Sequence, residues 1–151
     1  MSVKSQFLKK LQASQPVSKT QADIAEFRLR MRQLQEQMDT WLEGTGLSVE
    51  AYSTFVTDLL VDSGTFEIAG IVLRYHDRSV KFMPVFLYGQ GVTGCVETTF
   101  HDGRRVTSLG RLFMRSGSVS DWILTPPGVL SRDGKIFDES AFFGLIIALL
   151  P

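Results

Sequence analysis

A single cysteine, Cys95, stands in 151 residues. No intramolecular disulfide can form, so the fold has to rest on packing. An excess of one charge is missing as well: 16 Lys and Arg balance 16 Asp and Glu. That balance removes the electrostatic argument for nucleic acid or an anionic membrane as partner. The C-terminal apolar run, AFFGLIIALL over residues 141–150, is far shorter than the ~20 residues a spanning helix needs. MSVKSQFLKKLQ holds no apolar stretch of the kind a secretory signal carries. The expected setting is therefore cytoplasmic, with no membrane span.

An apolar fraction of 44% is ordinary for a globular chain. Its length is enough for one core without staples. Residues 1–16 are polar apart from Phe7, Leu8 and Leu11, and Pro16 closes them off. They read as an arm or short helix ahead of a single domain over residues 17–151.

The period of the apolar positions then changes once. Ser18 to Gln21 spells a capping box. Ile24, Phe27, Met31, Leu34, Met38 and Trp41 follow in steps of three and four, one stripe along a helix that ends near Gly44 or Gly46. Ser48 reads as the cap of a second helix, with Val49, Tyr52, Phe55, Val56, Leu59 and Leu60 on its apolar face. The short GTG connection makes the pair an αα-hairpin.

From residue 65 the reading becomes strands, near 65–75, 79–88, 92–101, 105–115 and 119–125, parted by turn residues. Asp102-Gly103 is the firmest hairpin signal. Connections this short force antiparallel neighbours. Phe66 and Ile68 differ in parity from Ile71, Leu73 and Tyr75, which asks for a bulge near Ala69-Gly70. Pro84 asks for an edge or a bulge in the next strand. A last helix runs from about Asp138 to Leu149, capped by Asp138 or Ser140 and apolar almost all round. It is either buried within the monomer or shared with a partner. The fold class is thus α+β, with two N-terminal helices, a five-stranded antiparallel meander and a C-terminal apolar helix. In outline such a domain resembles cystatin-like and NTF2-like shapes, and an outline alone licenses no function.

Chemistry is thinly represented. Gly89-Gln90-Gly91-Val92-Thr93-Gly94 has the spacing of a dinucleotide fingerprint, but no helix follows to hold a pyrophosphate, so the glycines read as a hairpin. His76-Asp77 and His101-Asp102 lie in turns at one end of a meander, without evident third and fourth metal ligands. Cys95 has no histidine base within reach along its strand. Glu67 and Glu97 are lone acids on separate strands with cationic neighbours. No catalytic residue, metal site or cofactor is expected.

The leading expectation is a non-enzymatic protein–protein interaction domain: an adaptor, a secretion chaperone or an immunity protein that neutralises a toxin. Its partner is another protein, a second copy included, and its partner-binding residues are Ile24, Phe27, Met31, Leu34, Met38 and Trp41. The same stripe could instead pack on the domain's own sheet. The rival expectation is a small-ligand domain or an unfamiliar enzyme. Its apolar pocket, lined by Phe82, Phe86, Tyr88, Phe113 and Trp122, would open at the end of the sheet, with His76, Asp77, Tyr88, His101 and Asp102 as the binding set.

Overall fold

The computed structural model describes residues 3–7, 19–58, 60–61, 64–128 and 134–150. The capping serine at position 18 lies outside them. Residues 3–7 form one exposed helical turn. Helix α1, Lys19–Trp41, is followed by seven strands in one antiparallel sheet: β1 Val49–Thr57, β2 Thr65–Tyr75, β3 Arg78–Gly89, β4 Val92–His101, β5 Val106–Ser116, β6 Ile123–Thr125 and β7 Lys135–Ile136. Spatial order equals chain order. Helix α2, Glu139–Ile146, and a 3-10 turn over Ile147–Leu149 complete the chain.

The α+β meander therefore stands, with two corrections. The second helix is strand β1, paired along its length with β2 from Val49↔Leu73 to Thr57↔Thr65. Its Val, Tyr, Thr and Phe content favours a pleated backbone. The helical spacing of its apolar residues misleads because Phe55, counted on the buried face, is 66% exposed. Among the described residues the strand count rises to seven through β1 and the two-residue β7.

The expected bulge at Ala69-Gly70 is absent, since the β1–β2 register is unbroken. Both strands instead change the face they bury together: Val49 and Leu73 belong to the core, and so do Val56 and Phe66, which have the opposite parity. The Tyr52 ring lies over Gly70 at the changeover, where any Cβ would collide with it.

The α1 stripe is inside. Phe27 and Met38 are fully buried, Ile24, Met31 and Leu34 are nearly so, and Trp41 packs partly exposed against the same cluster. Gly94, at φ +71°, lets Phe27 and the Met114 side chain close on β4; a Cβ there would meet both. Asp138 caps α2, its carboxylate accepting from the Ala141 N–H at 2.9 Å. Phe142 sits among Trp41, Phe82 and Phe137, while Ile147 and Leu150 stay exposed.

The sheet splits in its middle. β2 and β3 pair only from Ile71↔Phe82 to the turn at Tyr75↔Arg78. Beyond Phe82, β3 pairs with β4 alone, through a bulge between Pro84 and Phe86. Pro84 has the parity of Phe82, so its missing N–H points into the split, where no ladder asks for one. Side chains manage the exposed backbone. Asp58, itself buried, accepts from the Leu87 and Tyr88 N–H groups at 3.1 Å each. The Arg28 guanidinium donates to the Glu67 carbonyl at 2.9 Å.

Candidate functional site at the open edge of the sheet

The residues expected to bind a small ligand do not converge. His76 and Asp77 form the β2–β3 turn, His101 and Asp102 end β4, and both pairs lie at one end of the sheet. Tyr88 lies at the other end of β3, where its hydroxyl donates to Asp23 at 2.6 Å. Arg115 joins that knot, 2.9 Å from Asp23 and 3.1 Å from Glu26. The knot ties the first turns of α1 to the ends of β3 and β5. Burial, and then the bond to Asp23, push the Tyr88 phenol up.

At the other end, the Asp102 carboxylate accepts from the Arg105 and Arg104 N–H groups of its own turn, which holds it below its ordinary range. Thr99 Oγ1 lies 2.9 Å from His101 Nε2, and burial followed by the charge of Lys81 lowers the imidazole. A hollow of about 290 Å³ lined by Tyr75, His76, Asp77, Arg78 and Leu149 adjoins the first turn. Among the described residues no three His, Cys, Asp or Glu side chains are grouped as metal ligands.

The aromatic pocket dissolves in the same way. Phe82 and Trp122 belong to the main core, and Phe86 and Phe113 to a separate cluster with Cys95 and Val92. Burial pushes the Cys95 thiol up to about 12, so it is no thiolate at neutral pH. Glu67 accepts from Ser53, and Glu97 pairs with Arg111 at 2.7 Å, as ordinary surface acids do.

What remains available is the outer edge of β1. No strand of the described residues pairs with it there. The direction of its backbone groups follows from the ladders. A two-residue turn makes Tyr75↔Arg78 a hydrogen-bonded pair, so Leu73 and Ile71 also bond to β3. Val49, Ala51, Ser53, Phe55 and Thr57, set opposite the odd-numbered residues of β2, must then turn their N–H and C=O groups away from it. The Val49 N–H agrees, donating to Asp39 across the outer side at 3.1 Å. Ala51, Ser53 and Phe55 are exposed in the same stretch.

Beside this edge lies a cavity of about 580 Å³, lined by Arg28, Arg32 and Gln35 of α1 and by residues 51–53 and 67–69 of the hairpin. The Tyr52 hydroxyl on its wall is shut off from water without a hydrogen-bond partner, and burial raises that phenol. The sequence reading missed this site because it took β1 for a helix. The signal was there in β-branched and aromatic residues with a single charge, Glu50.

Comparison of the chain with protein-family models, curated proteins and solved structures finds no match. Among the described residues no helix is long and apolar enough to cross a membrane.

Proposed function

We propose that this protein is a non-enzymatic interaction module that accepts an extended segment of a partner as an added strand beside β1. The observation that carries the reading is the edge itself. It is nine residues long, unbulged and free of proline, with one charge and Phe55 exposed. Natural edge strands are normally kept short, bulged, charged or covered. Main-chain bonds to such an edge supply affinity, and alternate side chains supply specificity. The α1 stripe does not compete for the role, because it is spent on the domain's own sheet. Adaptor, chaperone and immunity roles all suit a strand-accepting edge and differ in the partner they take.

The test uses random linear peptides long enough to span β1, displayed and selected on the whole chain. Binders are then titrated against wild type and Ala51→Pro. Proline at position 51 removes an outward N–H and leaves the β2 ladder intact. Binders that lose wild-type affinity on Ala51→Pro, while thermal unfolding shifts by only a few degrees, support the reading. Binders indifferent to Ala51→Pro, or none at all, overturn it. Light scattering on a dilution series tells whether a second copy also takes the edge.

A further inference from the structure

We infer that the segment accepted by β1 is acidic, and that one of its carboxylates lies in the cavity between α1 and the β1–β2 hairpin, held by Arg28 and Arg32. This deepens the strand-accepting reading and rests on it. Edge and cavity are contiguous: Ala51 and Ser53 line the cavity and are also residues whose backbone groups face outward. A strand bonded to them delivers every second side chain to one face, beside that opening.

Charge then selects the occupant. The charged side chains on the cavity wall are Arg28, Arg32 and Glu67. Glu67 is already engaged by the Ser53 hydroxyl. Arg28 uses Nε on the Glu67 carbonyl, which leaves its two terminal nitrogens. Arg32 makes no hydrogen bond or ion pair among the described residues. Two guanidiniums one helical turn apart thus face an open space with one acid between them. Their planar donor forks suit a carboxylate. Gln35, a further turn along the same flank, adds an amide. A basic segment would instead set a third cation beside two.

The experiment reads the composition of the peptides selected above and their affinity for Arg28→Glu/Arg32→Glu. Asp or Glu should recur at alternate positions of the wild-type binders. The double reversal should weaken them at least about tenfold, and Lys in place of those acids should restore binding to the reversed protein. Arg32→Gln, the milder variant, should weaken them about threefold. Far-UV circular dichroism checks the fold of each variant. Peptides that need Ala51 but show no acidic preference, and bind the reversed protein equally well, overturn this inference and leave the strand-accepting reading standing. A selection that yields no Ala51-dependent peptide overturns both.

Discussion

β1 and β7 close the same sheet at its two ends, and they are built in opposite ways. β7 is two residues long, so it offers almost no template, and the Phe137 N–H beyond it still bonds back to the Trp122 carbonyl. β1 runs nine residues, and among the described residues its outward groups after Val49 have no backbone partner. The internal edges made by the split between β2 and β3 resemble β7 in being managed, though by other means: Asp58 covers β3 and Arg28 covers β2. Among the described residues, the outer edge of β1 is the longest stretch of strand that no neighbour pairs.

The managed edges should depend on their caps. Asp58→Ala leaves the Leu87 and Tyr88 N–H groups without an acceptor near the core, and should cost about 3 kcal/mol. A urea titration reads it as a lower midpoint at unchanged slope. A loss below about 0.5 kcal/mol would mean that water serves as well as the carboxylate.

Cys95 tests closure of the interior more directly. It is fully buried across the β3 bulge from Phe86, with its thiol at about 12. Ellman's reagent should leave the native protein unmodified over hours and label one thiol per chain in denaturant. Fast native labelling would show that the cluster of Cys95, Phe86 and Phe113 opens of itself.

Phe55→Lys probes the open edge. A lysine on the open edge should abolish strand uptake and any self-association, while stability moves by no more than about 0.5 kcal/mol. A large loss of stability would place Phe55 in a contact of the folded chain.

The smallest effect belongs to His101, away from both edges. Its folded-state pKa lies below the ordinary histidine value. Its contribution to stability is thus complete above about pH 6.5 and is lost as the pH falls through the depressed value. His101→Asn should flatten the fall in urea midpoint below that pH and leave peptide binding unchanged.

The meander from residue 65 to 125 was legible because its turns carry their own chemistry. Asp102-Gly103, the glycines at 89 and 91, and His76-Asp77 all fall where the chain reverses. The α1 stripe was legible too, but not its destination: periodicity says which residues share a face and is silent on what covers them. Three things could not be read. β1 was hidden because a nine-residue segment satisfies two periods at once, and the burial that decides between them is tertiary. The split was hidden because Pro84 signals a fault in one strand without naming the strand that departs. The candidate site was hidden because Arg28 and Arg32 meet Ala51 and Ser53 only after the hairpin folds against the helix.

One consequence of the core concerns synthesis. The α1 stripe leaves the ribosome ahead of the strands it packs on, and some of its partners come late: Phe27 waits for Met114, and Trp41 waits for Phe142. That last partner follows roughly a hundred residues later, about 5–20 s at ordinary elongation rates. Until then the β1–β2 hairpin can cover only part of the stripe, and the rest waits for the later strands and α2. The order of synthesis therefore leaves this core incomplete until its last helix has been made.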